Sequence, residues 1–192
     1  KLIERTIEQS RRDVATASAQ PLLVWGGLVL STSLIIWLLI TNTPKGEGGG
    51  SWHLLWILMS LIGGIYQYYF NRSWSVPDTI VSRTIGYMWG VFGISVFVLW
   101  AINICAITFG GISVRQIIPM TPTIILFMGL SVAITGLVIN RLFISVVGAV
   151  ACAICSYFSL VNPGVNELLC VAVTAVFTLL VPGLYLKFSN GR

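Results

Sequence analysis

Residues 34–40 read Leu34-Ile35-Ile36-Trp37-Leu38-Leu39-Ile40, apolar on every side that a helix could present. A transmembrane β-strand would alternate apolar and polar side chains, and this stretch does not. A helix surrounded by lipid does fit, because its backbone hydrogen bonds are all satisfied within the segment. Outward from it, the nearest charged residues are Asp13 and Lys45. Five more charge-free runs follow, bounded by Glu47 and Arg72, Arg83 and Arg115, Arg115 and Arg141, Arg141 and Glu167, and Glu167 and Lys187. Crossing about 30 Å of hydrocarbon takes roughly 20 helical residues, so each run holds one span. The expected spans are 22–40, 52–70, 84–108, 121–139, 142–161 and 168–186.

Composition agrees. The 192 residues are 56% hydrophobic and 9% charged, with a mean hydropathy of +0.92, whereas an ordinary soluble domain is about a quarter charged. The fold class expected is all-α, a polytopic membrane bundle of six helices in residues 21–192, preceded by a short cytoplasmic amphipathic helix in residues 1–20.

Orientation follows from Lys and Arg. With the N-terminus inside, Lys1, Arg5, Arg11, Arg12, Arg72, Arg83, Arg141, Lys187 and Arg192 are cytoplasmic, and only Lys45 and Arg115 are outside. That bias obeys the positive-inside rule and returns the C-terminus to the cytoplasm. The net charge of +5 then reads as topology and attraction to anionic lipid; nucleic acid is not an expected partner. Trp52 and Trp56 at one end of the second span, with Tyr66, Tyr68, Tyr69 and Trp74 at the other, read as interface anchors.

The N-terminal segment pairs Glu8 with Arg12 across one turn and lines Leu2, Ile3, Ile7 and Val14 along one side. Gln20-Pro21 marks its junction with the first span. Two roles are open: lying on the inner leaflet, or docking a cytoplasmic partner or second copy. Arg5, Arg11 and Arg12 are the candidate residues for a lipid headgroup or partner. On the docking reading, deleting residues 1–19 removes the partner and leaves the bundle folded.

Connections are short. Pro44 with Gly48-Gly49-Gly50-Ser51, and Gly110-Gly111 with Pro119, form the longest; Asn140-Arg141 and Asn162-Pro163-Gly164 turn almost at once. Ser145, Ala149, Cys152, Ser156 and Ser159, and the Gly86-x-x-x-Gly90 pair, present small residues for close helix approach. Trp25-Gly26 and Trp89-Gly90 hint at a repeat of hairpins.

Chemistry is sparse. Every carboxylate (Glu4, Glu8, Asp13, Glu47, Asp78, Glu167) lies in a terminus, a loop or at a span end, which leaves a proton relay without its carrier; Glu167 reads as a cap. His53 stands alone, and no metal or cofactor is expected. Gly93-Ile94-Ser95 and Gly111-Ile112-Ser113 lack the glycine of a rhomboid-type nucleophile motif. Cys152-Ala153-Ile154-Cys155, with Cys105 and Cys170, permits a thiol relay to a quinone, although apolar surroundings make poor nucleophiles. Gln67, Asn103, Ser60, Ser131, Thr135, Thr174 and Thr178 either bond between helices or line a cavity. Asn103, Gln67 and Thr135 are the candidate ligand-binding residues, with Pro119, Pro122 and Pro182 as candidate helix breaks.

The layout of basic Glu8-Gln9-Ser10-Arg11-Arg12 leading into Trp25-Gly26-Gly27 and five more closely spaced spans resembles small six-helix inner-membrane proteins of bacteria that carry no assigned activity. The resemblance implies a bacterial cytoplasmic membrane and transfers no functional residue. The leading expectation is a non-enzymatic regulatory or scaffold component, with membrane lipids, a cytoplasmic protein or a second copy as partners. The alternative is a facilitator or binder of a neutral or lipid-like molecule.

Overall fold

The computed structural model describes residues 2–43, 52–73, 79–111 and 118–189. The Pro44 to Ser51 connection, Trp74, Asp78, Ile112, Ser113 and Arg115 lie outside the described residues, as do the side chains of Leu2, Ile3, Glu4, His53, Asn71 and Ser73. Among the described residues every regular element is helical: α1 (Leu2–Asn42), α2 (His53–Ser73), α3 (Ile80–Gly110), α4 (Met120–Val138), α5 (Leu142–Val161) and α6 (Glu167–Ser189). Five of them are long and apolar enough to cross a membrane, and the apolar part of α2, Leu54–Phe70, is shorter.

Helix ends follow local chemistry. Thr79 and Ser82 form a reciprocal capping box at the start of α3. At the end of α4, Asn140 adopts φ 58°, Arg141 N–H donates to Gly136 O at 2.7 Å and Asn140 N–H to Leu137 O at 3.1 Å. This is a Schellman closure with asparagine in the left-handed position, and it turns the chain straight into α5.

α1 departs from expectation. Residues 2–20 are the first half of one 41-residue helix that runs through Pro21, where a boundary was expected. Val14, Ala15, Ala17, Ala19 and Leu22 are all buried, so the helix is held by packing on both sides of the proline. Deleting residues 1–19 therefore removes part of the core. A helix of this length extends about 60 Å, and its start continues the axis of the first span.

α1, α4, α5 and α6 form the centre, with α2 packed chiefly on α1 and α3 chiefly on α4. Close approach depends on glycine at two crossings. In α4–α5, Gly129 faces Cys152, and a Cβ at Gly136 would strike the backbone of Ser145. In α1–α6, Gly26 lies against Leu179 and Leu180, and Gly183 against Leu23 and the Ala19 carbonyl. The α5 stripe runs Ser145, Gly148, Cys152, Ser156 and Ser159; Gly148 belongs to it and Ala149 is exposed. A Cβ at Gly86 or Gly90 would meet nothing within 4 Å, so their pair is not a close-packed face among the described residues. Gly90 and Gly26 thus have different surroundings, despite their similar sequence settings.

α6 does not break at Pro182. Val181 N–H donates to Val176 O, five residues back, in a π turn spanning Val176–Leu180. The wider turn comes just before a residue that has no N–H and whose ring crowds the preceding turn.

The outer surface is apolar. α2 exposes Leu54, Ile57, Leu58, Leu61 and Ile65, and α3 exposes Val91, Ile94, Phe97 and Val98. Soluble monomers rarely expose apolar patches beyond a few hundred Å²; the chain has the build of a multi-pass membrane protein. Trp56, expected as an anchor, is half-buried and packs on the Ile125, Cys152, Cys155 and Val171 cluster.

Gly129→Val and Gly136→Val are expected to lower the unfolding midpoint in detergent through overpacking of about 1–3 kcal/mol each, while Gly90→Val leaves it unchanged. Equal tolerance at all three positions would contradict the α4–α5 contact.

Candidate functional site

The three candidate ligand residues do not converge. Asn103, 6% exposed on α3, donates from Nδ2 to the Ile118 carbonyl at 3.0 Å. Ile118 lies just ahead of the N-cap Pro119 of α4, so its carbonyl is outside the helical ladder. The Asn103 amide supplies it with a donor. Thr135 lies on the last turn of α4, about 25 Å further along that helix. Gln67, on α2, accepts from Trp25 Nε1 of α1 at 3.4 Å, with the Trp25 ring lying against Gly63.

The buried hydroxyls mostly bond within their own helix. Thr135 donates to Ser131 O, Thr174 to Cys170 O, Thr178 to Thr174 O and Ser33 to Val29 O, all at 2.7–2.8 Å. Ser60, exposed on α2, does the same toward Trp56 O. Ser156 instead reaches across to Pro122 O at 3.0 Å, and Ser159 Oγ is buried without a partner among the described residues. Two hollows among the described residues contain none of Asn103, Gln67 and Thr135; one is a shallow outer face of α2 around Ser60 and Gly64.

Cys152 and Cys155 are buried beside Ile125 and Val171, with Cys170 packed against the same cluster. Cys152 Sγ donates to Ala149 O at 3.1 Å. Cys105 is exposed on α3, apart from the other three. Among the described residues no group of three or more His, Cys, Asp or Glu is arranged to hold a metal. Glu167 Oε1 accepts from Gly164 N–H at 2.9 Å and so fastens the turn entering α6.

The other hollow is where charge gathers. Ile7, Glu8, Arg11, Arg12 and Ala15 of α1 face Ile139, Asn140 and Arg141 of the α4–α5 turn across a cleft of about 570 Å³. Ala15 and Ile139 are 1% and 3% exposed and form an apolar floor. Arg12 Nη2 lies 3.4 Å from Glu8 Oε1, with both side chains about 70% exposed, a pair that adds little stability. Ser10 Oγ and Arg11 Nε are buried without a hydrogen-bond partner. Arg5 is exposed and is not part of the cleft.

Arg141 and Asn140 were not singled out by sequence. The positive-inside pattern puts Arg141 at the same end as Arg11, but their juxtaposition needs α1 to continue through Pro21.

Comparison with protein-family models, curated proteins and solved structures gives no match. The site is therefore read from its own chemistry.

Asn103→Leu is expected to lower the free energy of unfolding by about 1 kcal/mol, seen as a lower unfolding midpoint, because it strips the Ile118 carbonyl of its donor. Thr135→Val should cost clearly less, because its bond duplicates an acceptor already used by the helix. Greater sensitivity at Thr135 would point to a polar role that these contacts do not supply.

Proposed function

We propose that this chain is a non-enzymatic regulatory or scaffold component of a bacterial cytoplasmic membrane, crossing it six times with both ends inside, and that the start of α1 docks a cytoplasmic partner. The observation that carries this reading is the division of α1 into two faces. Val14, Ala15, Ala19 and Leu22 pack inward, while Arg5, Gln9 and Asp13 share the opposite face and are all exposed. A rod fixed by its own span presents that polar face in a set orientation, unlike a separate helix free to lie on the leaflet.

Helix directions support six crossings. α1 meets the α4–α5 turn through Arg11 and Ala15, while Asn103, late in α3, meets Ile118 just before α4. α1 and α3 therefore both run antiparallel to α4 and parallel to each other, so α2 has to carry the chain back between them. Its 17 apolar residues, Leu54–Phe70, are at the short end of the spanning range. Arg5, Arg11, Arg12, Arg72, Arg83, Arg141 and Lys187 then share the positive-inside end. The facilitator and thiol-relay readings draw no support from the separated positions of Asn103, Gln67 and Thr135 or from the packed Cys152–Cys155 face.

A photo-crosslinking residue at Gln9 tests the docking face in cells without cutting the core. A discrete protein adduct is expected from Gln9, lost with Arg5→Glu and absent from a crosslinker at lipid-facing Leu130. Lipid adducts alone from both positions would overturn the docking reading. A membrane-impermeant label that reached a cysteine placed at Gln9 in intact cells would overturn the orientation.

A further inference from the structure

We propose that the cleft between α1 and the α4–α5 turn binds the phosphate of an anionic phospholipid headgroup. Among the described residues three arginines, Arg11, Arg12 and Arg141, line it against one carboxylate, that of Glu8, leaving a net positive site. Guanidinium groups present paired N–H donors that match phosphate oxygens.

One further feature is that, among the described residues, Arg11 Nε has no hydrogen-bond partner, so this guanidinium is not committed to a carboxylate of the protein.

The surroundings favour a lipid over a free phosphate. Leu142 and Phe143, in the first turn of α5, are 69% and 48% exposed, and Ile7 on the opposite wall is 45% exposed. An acyl chain has apolar side chains to lie on as soon as it leaves the phosphate. The volume of about 570 Å³ is within the range of small-molecule sites and has room for a headgroup with two phosphates. Basic pockets between helices at the cytoplasmic face commonly take such lipids. The placement at that face rests on the orientation proposed above; the cleft itself is a feature of the fold.

The test uses the full chain in mild detergent, read by native mass spectrometry while phosphatidylglycerol, cardiolipin, phosphatidylcholine, or inorganic phosphate is added. Both anionic lipids are expected to be retained over phosphatidylcholine, cardiolipin most strongly. Arg11→Gln and Arg141→Gln should each lower that retention about fivefold, while Lys187→Gln should leave it unchanged. Arg11→Lys, which keeps the charge, should retain more lipid than Arg11→Gln, and this comparison separates lost binding from lost folding. Equal retention of phosphatidylcholine, or unchanged anionic-lipid adducts in Arg11→Gln and Arg141→Gln, would overturn the proposal. Inorganic phosphate that displaced the lipid at equal concentration would reassign the cleft to a soluble anion and overturn the lipid assignment. Detergent removes any dependence on orientation, so failure here is distinct from failure of the Gln9 crosslink.

Discussion

The contact of α1 with α6 at Gly183 governs what the rest of the molecule can do. Pro21 deprives the Ala17 carbonyl of its helical donor, a loss of about 3 kcal/mol in a helix interior. Burial of Val14, Ala15, Ala17, Ala19 and Leu22 around it offsets that loss. Gly183, against Leu23 and the Ala19 carbonyl, lets the two backbones come close enough for this packing. Because α1 stays whole, Arg11 arrives beside Arg141, and a basic cleft exists at the end of the bundle.

A second theme is the use of neutral polar groups inside an apolar bundle. Asn103 serves the Ile118 carbonyl, which lies ahead of α4 and outside its ladder, and Ser156 bonds to the Pro122 carbonyl from α5. Thr135, Thr174 and Thr178 turn back on their own helices. Such groups need partners where water is absent, and here the backbone supplies most of them. Polarity within the spans is then largely explained by helix architecture, and the charged chemistry is left to the end of the bundle.

The apolar helices were legible because hydropathy is a property along the chain: α5 begins and ends where the charge-free run predicts, and α2, α3, α4 and α6 lie within a few residues of expectation. Partner choice was not legible. Gly148 and Ala149 are both small, and only the helix phase against α4 separates the buried residue from the exposed one. Gly86-x-x-x-Gly90 has the spacing of a packing face and is not close-packed among the described residues. Pro21 carried a boundary signal that tertiary packing overrode, and with it went any view of the Arg11–Arg141 pairing. Asn103 was singled out for its amide, but its acceptor depends on how α3 lies against the start of α4.

The continuity of α1 is tested most directly by the distance between nitroxides introduced through unnatural amino acids at Gln9 and Ser31, both exposed, leaving the four cysteines in place. A helix unbroken through Pro21 separates the two backbones by about 33 Å, and pulsed electron paramagnetic resonance should give one narrow distribution consistent with that separation. A broad distribution centred well below it would mean that the helix bends or parts at Pro21, and the cleft built on its continuity would be lost.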